Sequence, residues 1–127
     1  MAASRTVLVI DDDAYIRRVV QLKLKIHGYE VLTARDGEEG FTLIKTRQPD
    51  VVVSDINMPK IDGRTLCKLT NALKQKRPFL TIIMTARISP DERDWIEAMT
   101  DTQFMEKPFS PARLIKDINR YFGIDEK

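Results

Sequence analysis

A chain of 127 residues, 43% hydrophobic and 31% charged, has the make-up of one ordinary globular domain, long enough to fold without disulfides or structural metal. Its 21 basic and 19 acidic residues are well mixed and leave a net charge of +2, which is no footprint for nucleic acid; loose clusters such as Lys74-Gln75-Lys76-Arg77 read as solvated helix ends. No apolar stretch approaches the roughly 18 residues of a membrane span, and the first six residues are too short and polar for a secretory signal, so the chain reads as cytoplasmic and without membrane contact. Cys67 is the only cysteine, can form no intrachain disulfide, and reads as a helix packing residue.

Short apolar runs alternate with amphipathic segments, the pattern of strand-helix-strand units around a parallel sheet. Strand one, Val7-Leu8-Val9-Ile10, delivers Asp11-Asp12-Asp13, with Asp13 placed to cap the first helix. Helix one runs from about Ala14 to His27, with Ile16, Val19, Val20 and Leu24 on one face, His27 as a cap or packing residue, and Gly28 placed to close it at positive φ. Strand two is Glu30-Val31-Leu32-Thr33. Helix two starts at Asp36, has Glu39 at capping-box spacing, and runs toward Arg47 before Pro49 forbids continuation.

Strand three, Val51-Val52-Val53-Ser54-Asp55, ends in a second carboxylate. Gly63, in the loop between strand three and helix three, is expected to supply positive φ over the site. Helix three, about Arg64 to Lys76, carries Leu66, Leu69, Ala72 and Leu73 and stops before Pro78. Strand four, Leu80 to Met84, ends at Thr85. Helix four opens with Ser89-Pro90-Asp91-Glu92, an N-cap with proline and glutamate in their favoured places. Strand five, Gln103-Phe104-Met105-Glu106, ends at Lys107. Helix five opens with Ser110-Pro111 and shows Leu114, Ile115, Ile118, Tyr121 and Phe122 on one face before Gly123.

Strands one, three and four are almost continuously apolar and strands two and five half polar, so the latter pair are the edges. Right-handed crossovers then give an α/β fold: a five-stranded parallel sheet of order 2-1-3-4-5, doubly wound and flavodoxin-like, with its switch point between strands one and three. Ligands sit at the carboxyl ends beside that point, where Asp11, Asp12 and Asp55 fall.

Carboxylates about 5 Å apart repel by roughly 3 kcal/mol at an effective dielectric near 20. A hard divalent cation relieves that conflict, and magnesium suits an all-oxygen site that also takes a phosphate oxygen. With the anion screened, a carboxylate can attack phosphorus in line while Lys107 and Thr85 supply charge and a hydroxyl to the phosphoryl oxygens. Pro108 holds Lys107 extended, with a cis bond between them as an alternative.

These residues resemble the receiver domains of two-component response regulators, and the likeness runs from Val7 to Phe122. It rests on Val9-Ile10-Asp11-Asp12-Asp13, Pro49-Asp50-Val51-Val52-Val53-Ser54-Asp55-Ile56-Asn57-Met58-Pro59, Asp62-Gly63, Met84-Thr85-Ala86 and Lys107-Pro108-Phe109. The resemblance implies that Asp55 is the phosphoacceptor, charged by a sensor histidine kinase, a phosphotransfer protein or a small donor such as acetyl phosphate. It implies Mg2+ held directly by Asp12 and through water by Asp11, with Asp55 and the Asn57 backbone carbonyl completing the set, a switch pair of Thr85 and Phe104, and lifetime tuning by Asn57 and Arg87. Phe104 has a fixed core position as its alternative.

On this reading residues 1–127 are a single receiver domain, a signalling protein rather than an enzyme in the ordinary sense, limited to self-catalysed phosphoryl transfer and autodephosphorylation. It acts as a monomer or a phosphorylation-linked homodimer, and its output is contact with a downstream target protein through helix four, strand five and helix five. Trp95, Phe104, Tyr121 and Phe122 lie on or beneath that surface. Two departures stand out: Thr100-Asp101 replaces the Gly-Ala usual after helix four, leaving it without its customary positive-φ terminator, and Gly40 stands where alanine is usual in helix two. A magnesium-dependent hydrolase of the haloacid dehalogenase-like class is a rival, but its Asp-x-Asp-x-Thr pattern lacks the threonine here. A phosphorylation-independent adaptor is the other. A calcium loop fails for want of a glycine and distal glutamate after Asp13.

Overall fold

The computed structural model describes residues 5–58, 60–86, 88–107 and 110–124. Strands and helices alternate strictly: β1 (Thr6–Ile10), α1 (Ala14–Ile26), β2 (Glu30–Ala34), α2 (Gly37–Arg47), β3 (Val51–Asp55), α3 (Gly63–Lys76), β4 (Leu80–Thr85), α4 (Pro90–Ala98), β5 (Thr102–Glu106) and α5 (Pro111–Tyr121). All strands are parallel, in the order β2-β1-β3-β4-β5, as the apolar runs and polar edges predict. No helix among the described residues is long and apolar enough to cross a membrane.

The strand period of two sorts the core onto the two faces of the sheet. Val7, Val9, Val51, Val53 and Ile82 pack with Val20 and Leu24 of α1 and Leu114, Ile115 and Ile118 of α5. Leu8, Ile10 and Val52 point the other way, toward Ile44 of α2 and Leu66 of α3, while Ile83 meets Ile96 of α4 and Cys67 of α3. Cys67 is 5% exposed, and burial pushes its thiol up to about 11, as suits an inert packing residue.

Side chains written into the sequence begin the helices. Asp13 accepts from the Tyr15 amide at 2.9 Å, Asp62 from Thr65 at 2.8 Å and Ser110 from Arg113 at 3.3 Å. Ser89 and Glu92 form the full reciprocal capping box, both bonds 3.1 Å. At α2 the exchange is offset: Asp36 accepts from the Glu39 amide, but Glu39 Oε1 reaches the amide of Arg35, one residue before the cap. Gly28 and Gly123 adopt positive φ after α1 and α5, and His27 is the C-cap of α1.

Three expectations are corrected. Gly63 has no positive φ; that conformation belongs to Lys60, at 69°, and Gly63 is instead the first residue of α3. Glycine is needed there for closeness, because a Cβ would lie 2.8 Å from the Asp55 carbonyl oxygen and 2.9 Å from Ile56 Cα. The buried face of α3 is Leu66, Cys67, Thr70 and Lys74, with Leu69 44% exposed and Ala72 also exposed. A helix turns 100° per residue, so burying Cys67, Thr70 and Lys74 rotates Leu69 outward. Finally, the loop after α4 does contain a positive-φ residue: Asp101 takes it, at 50°.

Gly40 packs close to the sheet, as its place in helix two suggests, with a built Cβ meeting the Ile10 side chain, Cδ1 at 2.4 Å and Cγ1 at 3.0 Å. Gly37 is the stricter position, since its Cβ would stand 2.0 Å from the Ile61 carbonyl oxygen. Gly37→Ala is therefore expected to destabilise the fold by about 2 kcal/mol or more. In Gly40→Ala the clash is with a side chain rather than backbone and the helix gains about 1 kcal/mol of propensity, so this variant is expected to lose less stability than Gly37→Ala. Urea denaturation of the two variants measures the contrast.

Candidate functional site

The strand register brings four side chains to one rim of the sheet. Asp55 is the last residue of β3 and pairs with Met84, Thr85 is the last of β4 and pairs with Glu106, and Asp11 and Lys107 follow directly on β1 and β5. Asp11, Asp12 and Asp55 each offer a carboxylate oxygen within 4.8 Å of the others. Lys107 Nζ lies 3.1 Å from Asp55 Oδ2 and 3.5 Å from Asp11 Oδ2.

Each group is held differently. Asp11 is fully buried; its Oδ1 accepts from the Asp13 amide at 2.9 Å, while its Oδ2 accepts no hydrogen bond. Asp55 is 8% exposed and its Oδ1 receives the Asn57 amide at 3.4 Å. Asp12 and Asn57 are exposed, and Thr85 is buried. The Thr85 carbonyl accepts from the Lys107 amide at 2.7 Å, which fixes where the lysine leaves the sheet.

Burial is the largest influence on Asp11 and lifts its carboxyl above the ordinary value; the Asp55 charge adds to this, and the Asp13 amide and Lys107 partly offset it. Burial pulls Lys107 down, but its hydrogen bond to Asp55 and the charges of Asp11 and Asp55 outweigh that and raise it. The ammonium is thus firmly charged. Two buried carboxylates share one lysine, and Asp11 Oδ2 has that ion pair as its one contact and no hydrogen bond.

That donor set fits a hard divalent ion. Asp11 Oδ2, which accepts no hydrogen bond, the neighbouring Asp55 oxygen and the exposed Asp12 carboxylate are all oxygen ligands of the type magnesium selects, and Asp12 keeps the site open to water.

Phe104 is half-buried against the cluster of Ile83 and Ile96, with the Arg93 guanidinium 5.1 Å over its ring. Trp95 is half-buried in the same cluster, and Tyr121 and Phe122, at the end of α5, pack partly buried against the core on the α1 and α5 face of the sheet. Arg87, expected to tune phosphoryl lifetime, lies outside the described residues, as do Pro59, Pro108 and Phe109 of the motifs. Sequence reasoning missed Arg17, whose Nη1 donates to the Asp11 carbonyl at 2.6 Å and pins the acidic turn to α1. Only its position one helical turn beyond the aspartates hinted at it.

Comparison with known proteins agrees with this geometry. The family model for the response regulator receiver domain matches residues 7–119. A probable transcriptional regulator, ycf27, of Porphyridium aerugineum is 38% identical over 108 residues, 85% of this chain and 44% of its own length. The alkaline phosphatase synthesis transcriptional regulatory protein PhoP of Bacillus subtilis is 35% identical over 111 residues, 87% of this chain and 45% of its own. The chain thus spans less than half the length of these two relatives. Among solved structures, the chemotaxis protein CheY4 of Vibrio cholerae superposes with a TM-score of 0.84 at 34% identity, covering 93% of this chain and 98% of that one. The five motifs, the strand order and the carboxylate rim therefore have one source: the chain belongs to the receiver-domain family of two-component response regulators.

Proposed function

We propose that Asp55 accepts a phosphoryl group and that the resulting acyl phosphate switches the α4-β5-α5 surface for a protein partner. One observation carries this reading: Asp55 and Asp11 face one another at the rim with a single lysine between them, 3.1 Å from Asp55 Oδ2 and 3.5 Å from Asp11 Oδ2, and the latter oxygen accepts no hydrogen bond. Asp11, Asp12, Asp55 and the Asn57 backbone carbonyl would hold Mg2+, which when bound supplies positive charge against both the acids and the incoming phosphate.

Asp55 is the attacking group, since one of its oxygens faces Lys107 and the other is only weakly held by the Asn57 amide. It forms the new P–O bond as the bond from phosphorus to the donor atom breaks; from a phosphohistidine, the imidazole leaves as the neutral base. Lys107 moves its charge from the Asp55 carboxylate to a phosphoryl oxygen, and the Thr85 hydroxyl donates to another. Phe104 follows the threonine inward, and Asn57 and Arg87 set how readily water reaches the anhydride. Asp11 is fully buried, which makes it a poor nucleophile and weighs against the hydrolase rival.

A sensor histidine kinase or phosphotransfer protein needs a face beside this rim. Helix α1 exposes Tyr15, Leu22 and Ile26, at 72%, 52% and 77%. The upper end of that strip, at Tyr15, runs into a groove whose wall includes Asp13, Ile16, Val19, Lys107 and Pro111, so an apolar helix docked there lies beside Lys107, the lysine paired with Asp55.

Incubation with acetyl phosphate and Mg2+, followed by peptide mapping, is expected to place a hydroxylamine-sensitive adduct on Asp55, absent from Asp55→Asn and lost with EDTA. An adduct on Asp11, or full labelling without the metal, contradicts the proposal. Leu22→Glu and Ile26→Glu are expected to slow transfer from a phosphorylated donor protein about tenfold or more while leaving labelling by acetyl phosphate unchanged.

A further inference from the structure

Helix α4 is short, nine residues, and buries only Ile96 fully. Two long cationic side chains of α3 reach it from one side. At its start, Arg64 Nη1 is 3.2 Å from Asp91 Oδ2 and its guanidinium lies 5.5 Å over the Trp95 ring. Beyond its end, Lys74 Nζ donates to the carbonyls of Thr100 and Asp101 at 2.8 and 3.1 Å and contacts Thr102 Oγ1 at 3.1 Å. Ten residues of α3 separate the two, about 15 Å along its axis, so they grip separate points.

The second grip explains how the loop does without glycine. Asp101 stands at φ 50°, a conformation uncommon for a non-glycine residue though better tolerated by aspartate than by most, and here its backbone is held in place. Its carbonyl is fixed twice, by the Thr81 amide at 2.8 Å and by Lys74. Lys74 is 7% exposed and sits 4.9 Å over the Phe79 ring. Burial drives its ammonium down to about 8, with Cys67 and Asp101 opposing, so the cation is kept in an inhospitable place where its donors are all used. On the far side, the Asp101 carboxylate raises the Tyr121 hydroxyl of α5 after burial has done so.

We propose that α3 holds α4 by a two-point clasp, Arg64 at its first turns and Lys74 at the Thr100–Thr102 turn, and that loosening this clasp sets how easily the α4-β5 surface rearranges. Lys74 is a positioning residue: it supplies through hydrogen bonds what a glycine would supply through backbone freedom. The consequence for signalling rests on the phosphoacceptor reading above; the clasp itself does not.

Amide hydrogen exchange followed by NMR without phosphodonor separates the two. Lys74→Met is expected to speed exchange at Met99, Thr102 and Gln103 about tenfold, with β1 and β3 unchanged, and adding Asp101→Gly is expected to restore most of the protection. A lysine serving only to fill the core would not be rescued by a glycine in a neighbouring loop. Arg64→Gln, at the partly exposed end, is expected to speed exchange in the first turns of α4 several-fold and covers the case in which Lys74→Met does not fold. Unchanged exchange in α4 for Arg64→Gln, acceleration spread evenly through the sheet in Lys74→Met, or no rescue by Asp101→Gly would overturn the clasp. By loosening the clasp, Arg64→Gln should also lower the acetyl phosphate concentration for half-maximal labelling several-fold; no labelling at all in the parent chain would instead count against Asp55 as acceptor.

Discussion

Asp11 carries a carboxylate into a position with no access to water, beside Asp55, where one ammonium serves both. At separations near 5 Å such acids repel by about 3 kcal/mol at an effective dielectric of 20, and burial adds a further desolvation cost to the inner one. Lys107 meets part of this and leaves Asp11 Oδ2 without a hydrogen bond. A structure selected for stability alone would place an amide or an apolar side chain there. On the proposed function the charge is kept for a cation and a phosphoryl group, and the remainder of the architecture holds that conflict in place.

The sheet does the holding. Parallel register sets the ends of β1, β3, β4 and β5 side by side, so that residues more than ninety positions apart in sequence meet within a few ångströms. Gly63 lets the start of α3 lie against the Asp55 backbone, and Gly37 does the same for α2 against the loop at Ile61. Opposite the rim, Arg77 ties the end of α3 to the turn before β3 through the carbonyls of Gln48 and Pro49 and the Asp50 carboxylate. The site end is left open and charged while the far end is stitched shut.

Much of this is legible in the residues because the signals are local. Apolar runs ending in Asp11, Asp55 and Thr85 mark the interior strands, and the capping residues Asp13, Asp36, Ser89 and Ser110 mark helix starts with hydrogen bonds a few residues long. What the sequence hides are the long-range contacts. Gly63 reads as a turn glycine unless one knows that the Asp55 backbone passes against it, and Leu69 reads as core unless Lys74 is known to point inward. A buried lysine contradicts ordinary expectation for its type, and only the carbonyls of Thr100 and Asp101, more than twenty-five residues away, account for it. The same contacts turn Asp101 from an apparent defect into a supported turn.

Thermal denaturation of Asp11→Asn with and without Mg2+ tests the central claim most directly. The variant is expected to melt a few degrees above the parent in EDTA, equivalent to about 1 kcal/mol of relieved repulsion, and millimolar Mg2+ is expected to raise the parent's midpoint but not the variant's. A metal-free variant less stable than the parent, or a parent indifferent to Mg2+, would contradict the view that the buried acid is a strained charge kept for a cation.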